Sequence, residues 1–473
     1  MSTDNILKNI SRHEQELRNL ATDIWKNAEI GLKEEYACSR LSDYLTDQGF
    51  VVESNVAGMA TAFAARWGEG KPVISFLAEY DALEELSQKA GVAHREAATE
   101  GAPGHGCGHN LLGVGAAGAA LALKEELESS NQQGTVILYG CPAEETFIGK
   151  AYMAKSGVFD EADVAITWHP DRVNMVVDEV WQAVSVAKFN FKGITSHAAT
   201  EPEKGRSALD AVELMNVGVN YLREHVIDQA RMHYAITHGG GIPNTVPEKA
   251  QVWYYVRAPR WQQVKEVYDR VVKVANGAAM MTETELDIDF ITASPDILPN
   301  DVLSQLMSDC MQELPPIEFT ESDYNFSREI SKTFAQGQDE AVTNRLRLAG
   351  YEKEVEDKLL FCDVAPFKAK HPDIPGSSDV GNVSWKVPTV QVLTTCNPYA
   401  TTDHSWQYTA SAGMNIGMTG MLYAAGIMGL TGLKLVQNTD ILTKAKEEFE
   451  KRANGQDINV LIPDGKMAPV SNH

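Results

Sequence analysis

Three short runs of almost wholly apolar residues dominate the pattern of the chain, and ionisable residues follow each of them. The runs cover residues 73–77, 135–140 and 164–167. Such runs are typical of strands buried on both faces, as in a parallel sheet covered by helices. They lead into Glu79-Tyr80-Asp81, Cys141-Pro142-Ala143-Glu144-Glu145 and Trp168-His169-Pro170. Because open α/β sheets carry their sites at the carboxyl ends of the strands, we expect these polar groups to meet at one edge.

Further helices and strands are predicted around these runs from the spacing of their apolar residues. Helices are predicted over 5–28, 34–48 and 111–124, and short strands over 51–53 and 60–67. Apolar positions recur at helical spacing in the first of these segments, whereas the third is rich in Gly and Ala, which favours a closely packed, buried helix. The first 182 residues are therefore expected to combine a central sheet with covering helices.

A smaller unit is predicted after about residue 182, where the pattern of apolar and polar residues changes. Strands are predicted over 184–191, 251–257 and 285–291, and helices over 207–224 and 264–276. Two helices among these strands describe an α+β unit of roughly 115 residues, within the usual size of a domain. We expect residues 183–297 to form an inserted domain, with residues 1–182 and 298–473 forming the other domain.

The larger domain is expected to resume near residue 301. Helices are predicted over 301–313, 327–336, 339–349 and 411–430, with a strand over 387–393 and an irregular tail after Asn454. No chemical role is predicted for residues 315–370. At 473 residues the chain exceeds the size at which one hydrophobic core keeps growing, which also favours two domains.

The loop 104–110, GHGCGHN, places a thiol and an imidazole two residues apart among glycines. Cys107 and His109 can therefore turn toward one point, as a metal ion held by a loop requires. A glycine-rich loop with a stray Cys and His is the alternative interpretation of this stretch alone. Candidate ligands elsewhere in the chain are needed to decide between the two.

Groups that could join this pair follow the predicted strands or lie in a later loop. The full set is Cys107, His109, Glu144, Glu145, His169 and His404. This mixture of thiolate, imidazole and carboxylate suits zinc or a manganese-like ion, whereas calcium prefers oxygen alone. Taken singly, His404 could be an ordinary surface or core histidine and Glu144-Glu145 a solvated pair. Their position at the ends of several strands of one predicted sheet favours the metal site.

Five of these groups could hold two metal ions and leave one carboxylate for proton transfer. Adjacent Glu144 and Glu145 fit this arrangement, because consecutive side chains at a strand end point in different directions. Two neighbouring ions activate a water near neutral pH, and the remaining glutamate can move its proton to a leaving amine. The pattern therefore indicates metal-assisted hydrolysis of an amide.

Composition and charge narrow the class of protein further. Apolar residues make up 44% and charged residues 22% of the chain, as in ordinary globular proteins. The formal net charge of -24 argues against sequence-independent nucleic-acid binding, which needs a basic face. We expect neither a membrane-spanning run nor a signal peptide, and therefore a cytoplasmic protein. Six cysteines in so long a chain predict reduced thiols and no disulfide framework.

Several motifs in order along the chain resemble those of the M20 metallopeptidase superfamily. They are GHGCGHN at 104–110, PAEE at 142–145, WHP at 168–170, GITSHAA at 193–199 and the loop that contains Asp403-His404. The Cys-x-His form is similar to the aminoacylase and auxin-conjugate amidohydrolase branch, and the likeness covers nearly the whole chain. The resemblance implies an α/β di-metal catalytic domain with an inserted α+β lid domain that also dimerises.

The resemblance also implies the roles of individual residues in the larger domain. The implied ligands of two divalent ions, manganese or zinc, are Cys107, His109, Glu145, His169 and His404. Glu144 matches the general base of the family. Asp81 matches a residue that steadies a metal ligand from behind.

Further residues are implied to bind the substrate. In the inserted domain His197 matches a histidine that reaches the partner subunit's active site and stabilises the developing oxyanion. Asn244 and Arg257 match residues that hold the carbonyl and the carboxylate of the substrate, and a guanidinium can grip a carboxylate with two hydrogen bonds. Gly376 and Ser377 match a turn whose backbone contacts that carboxylate.

The implied activity is hydrolysis of the amide bond of an N-acyl or N-aroyl amino acid with a free carboxylate, with p-aminobenzoyl-glutamate favoured. A dipeptidase, an auxin-conjugate hydrolase and a non-catalytic subunit with a paralogous partner are the alternatives. The implied assembly is a homodimer or a hetero-oligomer with such a paralogue. Asn110 stands where auxin-conjugate relatives have an aspartate, and His105 stands where many relatives differ, so the metal preference stays open.

Overall fold

The described residues of this computed structural model, 2–355 and 358–470, contain thirteen strands and thirteen α-helices. The strands are β1 (Val51–Ser54), β2 (Phe63–Glu69), β3 (Val73–Ala78), β4 (Gly134–Gly140), β5 (Val164–Asp171), β6 (Met175–Val176), β7 (Val180–Trp181), β8 (Ala183–Lys192), β9 (Arg231–His238), β10 (Lys249–Ala258), β11 (Glu285–Ser294), β12 (Asp373–Ile374) and β13 (Thr389–Thr395). The helices are α1 (Ser2–Lys26), α2 (Glu35–Asp47), α3 (His109–Ser130), α4 (Gly149–Lys155), α5 (Ala208–Leu222), α6 (Trp261–Thr282), α7 (Asp301–Glu313), α8 (Glu321–Ser331), α9 (Asp339–Ala349), α10 (Val380–Ser384), α11 (Trp406–Ala412), α12 (Asn415–Gln437) and α13 (Thr439–Ala453).

Seven strands form one large sheet with the order β1-β2-β4-β3-β5-β13-β6. The three apolar runs of the sequence are the neighbours β4, β3 and β5, which run parallel to one another, and β13 continues the parallel arrangement beside β5. Every residue of β3 and β4 is buried, which explains why their sequences do not alternate. The carboxyl ends of these strands therefore lie at one edge, as predicted.

Helices α3 and α12 cover one face of the large sheet, and α1 packs against both. Gly115 allows α3 to approach β5 closely, because a Cβ at this position would lie 2.7 Å from the indole ring of Trp168. The indole nitrogen of Trp168 donates a hydrogen bond to the carbonyl of Leu112 at 2.9 Å. This contact fixes the end of β5, which carries His169, relative to the start of α3, which carries His109.

A separate antiparallel sheet with the order β11-β8-β10-β9 is backed by α5 and α6. This inserted unit has the predicted α+β composition, and its division from the larger domain at residues 182 and 298 stays a prediction. The first five residues of strand β8 are all buried. The reason is that Ala183 and Val184 also pack against the larger domain, the latter beside Phe147.

Two helix predictions were wrong in their boundaries. The helix predicted over 327–336 is α8, which begins six residues earlier because Thr320 and Asp323 form a capping box. The run 411–430 is divided between α11 and α12 at Gly413, where a Cβ would lie 2.6 Å from the ring of Trp25. The tail after Asn454 contains one short 3-10 helix, Ile458–Leu461, and residues 471–473 lie outside the described residues.

Helix α12 corrects the expectation that no apolar run is long enough to cross a membrane. Its length and composition meet that criterion, and in the described part of the chain it is the one helix that does. However, 89% of its most apolar window is buried inside the protein. The apolar residues of α12 are therefore explained by its place between α1, α3 and the sheet.

The residues 315–370, whose role the sequence left open, contain α8 and α9. Helix α9 packs Val342 and Leu346 onto Met175 of β6 and Leu393 of β13. This segment therefore covers the β13–β6 end of the large sheet, next to the edge where the predicted site lies.

Candidate metal centre

Asp81 connects the ends of β3, β4 and α3 behind the candidate metal centre. Its Oδ1 lies 2.8 Å from His109 Nδ1, and its Oδ2 accepts the backbone N–H of Glu145 at 3.0 Å. The same imidazole presents its Nε2 on the other side of the ring, where this fully buried atom has no hydrogen-bond partner among the described residues. A carboxylate behind a histidine fixes the ring and its tautomer in the way that metal sites require.

His169 at the end of β5 is oriented in a similar manner. Its Nδ1 lies 2.7 Å from the carbonyl oxygen of Pro170, and its Nε2 lies 3.4 Å from Cys107 Sγ. Since the backbone carbonyl can only accept, Nδ1 carries the proton and Nε2 presents a lone pair. Burial and the nearby His109 lower the pKa of His169, which favours the neutral imidazole that binds metals.

The candidate ligands form two groups of three that share one thiol. The ligand atoms of Cys107, His109 and His169 lie within 4.8 Å of one another, and so do those of Cys107, Glu145 and His404. In the second group His404 Nε2 lies 3.3 Å from Glu145 Oε2. The backbone N–H of His404 donates to the carbonyl of Gly106 at 3.0 Å, which ties the two ligand loops together.

The atoms that point into this space fit a pair of divalent metal ions. His109 Nε2 and Glu145 Oε1 lie 4.0 Å apart, and both are buried without a hydrogen-bond partner in the described part of the chain. Buried polar atoms are normally satisfied, and ligation would satisfy these two. Burial raises the pKa of the Cys107 thiol well above its usual value, and a bound cation would reverse this by stabilising the thiolate. All five predicted ligands are therefore brought together.

Glu144 lies beside this centre in a buried position of its own. Ser378 Oγ donates a hydrogen bond to Glu144 Oε1 at 2.8 Å. Burial raises the pKa of Glu144 well above its usual value, and the neighbouring Glu79 and Asp379 carboxylates raise it further. A carboxylate with such a raised proton affinity suits a general base and acid.

The turn that carries Glu144 and Glu145 depends on a buried glutamate that the sequence analysis did not single out. Ala143, which precedes the turn, has a left-handed backbone with φ of 54°. Glu34 accepts the backbone N–H of Ala143 at 2.8 Å and the hydroxyl of Thr61 at 2.9 Å. Its position just before α2 gave no signal in the sequence, because the partner lies 109 residues further along the chain.

A buried ion-pair cluster behind Glu144 was also missed. Lys150 Nζ lies 2.7 Å from Glu79 Oε1 and 2.5 Å from Asp379 Oδ1, and the side chains of all three residues are almost completely buried. Glu79 also forms a third candidate metal-binding group with His109 and Glu144. Lys150 contacts Glu79 Oε1, whereas Glu79 Oε2 lies 3.5 Å from His109 Nε2. A lysine at the start of a short apolar helix was the one available signal.

The side chains of Asn110 and His105, the two residues that depart from the relatives' pattern, point away from the candidate ligands. The side-chain amide of Asn110 donates to the carbonyls of Ala21 and Ala412 at 3.3 and 3.2 Å. His105 Nε2 lies 3.3 Å from the carbonyl of Ile24, and burial lowers the pKa of His105 to about 3. Asn110 therefore ties α3 to α1 and α11, and His105 is a neutral core histidine.

A cleft of about 970 Å³ opens in front of the centre and is bounded partly by the inserted unit. The predicted substrate residues Arg257, Gly376 and Ser377 line this cleft. Arg257 Nη1 donates to Ser377 Oγ at 2.6 Å, and the guanidinium lies 5.5 Å from the centre of the Phe147 ring. The structure thus brings the Arg257 guanidinium and the Ser377 hydroxyl together beside Glu144. Ser378, which follows Ser377 in the chain, donates a hydrogen bond to Glu144.

His197 and Asn244 do not line this cleft. They lie together on the exposed surface of the inserted unit, with 3.3 Å between His197 Nε2 and Asn244 Nδ2. The backbone N–H groups of Ala199 and Thr200 donate to His197 Nδ1 at 3.2 and 3.1 Å. This pair is preorganised but separate from the cleft of its own chain.

Comparison with known proteins gives the class to which this fold and centre belong. The chain belongs to peptidase family M20/M25/M40, whose model matches residues 76–412, and it is a hydrolase of that family. The matched interval contains every candidate metal ligand. The predicted family and the predicted α/β fold class with an inserted α+β unit are thereby confirmed.

Among known relatives, a subunit of p-aminobenzoyl-glutamate hydrolase from Escherichia coli (strain K12) is 40% identical over 461 residues, which cover 96% of each chain. The Xaa-Arg dipeptidase of Mus musculus is 27% identical, with 92% of this chain and 89% of the dipeptidase covered. The chain is thus similar along its whole length to hydrolases of amide bonds.

Solved structures share the fold at low sequence identity. The aminobenzoyl-glutamate utilization protein from Klebsiella pneumoniae superposes with a TM-score of 0.63 at 16% identity, covering 92% of this chain and 98% of that one. A dinuclear metal-binding peptidase of family M20 from Bacillus subtilis gives a TM-score of 0.56 at 15% identity, covering 90% and 99%. Because at least 90% of this chain is matched in both structures, most of the inserted unit lies within both matches.

Proposed function

We propose that this chain is a two-metal amidohydrolase that cleaves p-aminobenzoyl-glutamate into p-aminobenzoate and glutamate. The observation that carries the proposal is the pair of ligand groups that share Cys107, with Glu144 left over beside them. The relative that is 40% identical over 96% of both chains supports the choice of substrate.

The residues that would hold the two ions are those of the two ligand groups. They are Cys107, His109 and His169 for one ion, and Cys107, Glu145 and His404 for the other. Bound manganese or zinc would polarise the scissile carbonyl and lower the pKa of a nucleophilic water. Asp81 orients His109 for this purpose, in the role that the family resemblance implies.

Glu144 accepts the proton of the attacking water and then donates it to the leaving amine. Burial and the neighbouring carboxylates raise the pKa of Glu144, which makes it a stronger base toward the water. Ser378 holds one carboxylate oxygen, so the other oxygen remains available for the proton. The glutamate amine leaves protonated, and the benzoate product keeps the oxygen of the water.

Arg257 and Ser377 bind the α-carboxylate of the substrate at one side of the cleft. The guanidinium of Arg257 is charged and can donate two parallel hydrogen bonds, which suits a carboxylate. The carbonyl of Gly376 accepts the backbone N–H of Gln182 at 2.6 Å and so supports the turn that carries Ser377. An amino acid anchored in this way places its amide next to Glu144.

His197 and Asn244 act in the cleft of a second subunit. Their exposure and their absence from the lining of the cleft of their own chain support this role. The active assembly is then a homodimer or a hetero-oligomer with a paralogous subunit, and its location is the cytoplasm.

The experiment that tests this function is release of p-aminobenzoate by the purified chain alone after loading with manganese or zinc. We expect release by the wild-type chain, a loss of at least about a hundredfold for Glu144→Gln, and full activity for the exposed control Glu128→Gln. Activity retained by Glu144→Gln would refute the assigned role. If release required an added paralogous subunit, the active assembly would be the hetero-oligomer and not the homodimer. If the chain preferred dipeptides, the proposed substrate would be wrong.

A further inference from the structure

Helix α9 forms one wall of the cleft, although no role was assigned to its segment. Ala341, Arg345 and Leu348 line the cleft and recur at spacings of four and three, so they share one face of the helix. Leu346 lies on the other side and packs onto the β13–β6 end of the large sheet. The helix is therefore fixed on one side and faces the substrate space with the other.

Arg345 anchors this wall to the strand that carries His169. Its Nη1 donates to Asp171 Oδ2 at 2.7 Å, and its Nη2 and Nε donate to the two carboxylate oxygens of Glu179, the first of them at 2.7 Å. Asp171 lies two residues after His169, and Glu179 directly precedes β7. Because such paired, charge-assisted hydrogen bonds constrain geometry, α9 keeps a defined position relative to the centre.

The position of α9 determines which part of the substrate it meets. Arg257 and Ser377 lie near the β4 end of the site, where the adjacent Ser378 contacts Glu144, whereas α9 lies at the β13–β6 end. A substrate with its carboxylate on Arg257 and its amide beside Glu144 extends its acyl group away from Arg257. Ala341, Arg345 and Leu348 of α9 line the same cleft, so an acyl group that extends away from Arg257 can meet this helix.

The wall presents an apolar group at this place. Leu348 lines the cleft and is 54% exposed, so it offers apolar surface to a molecule bound there. We infer that α9 selects the acyl group of the substrate, with Leu348 packing against an aromatic acyl group that a short acyl group does not reach. This inference rests on the proposed function and names its specificity-determining residue.

The test compares Leu348→Ala with the wild-type chain on p-aminobenzoyl-glutamate and on N-acetylglutamate. We expect kcat/KM for the aroyl substrate to fall about tenfold and that for the acetyl substrate to change less than about twofold, as for lost apolar contacts in a binding pocket. Val51→Ala, an exposed apolar residue on the distant edge strand β1, is the control and is expected to change neither value. Equal changes for both substrates, or no change, would overturn the inference.

Calorimetric titration of the same two compounds into Glu144→Gln proteins, with and without Leu348→Ala, gives a readout that needs no turnover. We expect Leu348→Ala to weaken binding of p-aminobenzoyl-glutamate about tenfold and to leave N-acetylglutamate unaffected. Tight binding of the aroyl compound that does not depend on Leu348 overturns the inference and leaves the proposed function intact. Binding of N-acetylglutamate without any binding of the aroyl compound overturns both.

Discussion

Replacement of the buried Lys150 by methionine is expected to destabilise the protein strongly. The ammonium contacts two buried carboxylates, Glu79 at 2.7 Å and Asp379 at 2.5 Å, and its own backbone N–H donates to Asp379 at 2.9 Å. Burial lowers the pKa of Lys150, but the two carboxylates raise it well above its usual value. Lys150 is therefore charged in the folded protein and compensates negative charge that water cannot reach.

The magnitude follows from what the substitution leaves behind. Removal of one partner of a buried ion pair costs about 3–5 kcal/mol, because the other charge stays buried without compensation. We therefore expect Lys150→Met to lower the free energy of unfolding by about 4 kcal/mol at pH 8. The control is Lys265→Met, since Lys265 and Asp269 form an exposed pair at 2.8 Å whose loss costs less than about 1 kcal/mol.

The loss of unfolding free energy in Lys150→Met should also depend on pH in a defined direction. Burial raises the pKa of Asp379 to about 6 even though Lys150 opposes the shift, so the pKa rises further without the ammonium. A folded-state pKa above the unfolded one stabilises the fold at low pH, and this contribution is lost as the pH rises through the folded value. Lys150→Met should therefore be less destabilising at pH 5 than at pH 8.

Urea titration of the chelated, metal-free proteins measures these differences without a contribution from metal binding. The double variant Lys150→Met/Asp379→Asn should recover part of the loss at pH 8, because it removes one of the stranded charges. A loss below about 1 kcal/mol for Lys150→Met, or a loss that is equal at both pH values, would refute this reasoning.

Three further predictions concern the support of the site and of the fold. Asp81→Asn should weaken metal binding ten- to a hundredfold in calorimetry, since Asp81 orients His109; unchanged affinity would contradict this role. Burial raises the pKa of Asp296 to about 6, so the stability that Asp296 contributes should be present below about pH 4 and lost as the pH rises to about 6. Urea titration of wild type and Asp296→Asn should show a difference that changes across this window, and a constant difference would oppose the prediction. Gly149→Ala would place a Cβ 1.8 Å from the carbonyl oxygen of Pro142 and should cost at least about 2 kcal/mol in thermal unfolding. Gly277→Ala, whose added Cβ meets nothing within 4 Å, is the matched control and should be neutral or stabilising.

Local patterns in the sequence predicted the strand ends of the site because buried parallel strands leave a plain signature. The runs 73–77, 135–140 and 164–167 are apolar without alternation, and the groups that follow them meet at one edge. The spacing of Cys107 and His109 likewise suggested a ligand pair before any contact was known. The pattern of apolar residues, the expected strand topology and the spacing of Cys107 and His109 are enough to predict these parts of the site.

The supporting contacts could not be predicted because they join residues far apart in the chain. Lys150 meets Asp379 across 229 positions, and Arg345 meets Glu179 across 166. In the sequence Arg345 resembles an ordinary solvent-exposed charge, and the apolar neighbours of Lys150 do not indicate its partners. These contacts depend on packing that no local pattern encodes. The same limit explains why the helix predicted over 411–430 was not divided at Gly413, where the constraint comes from Trp25.

The two ligand groups that contain Cys107 would hold two metal ions per chain. Native mass spectrometry of manganese- or zinc-loaded protein tests this stoichiometry by counting the ions bound per chain. We predict two ions for the wild-type chain and for the exposed control His94→Ala, one ion for His404→Ala, and none for Cys107→Ala, because Cys107 belongs to both ligand groups. A single ion in the wild-type chain, or two ions in Cys107→Ala, would contradict the account.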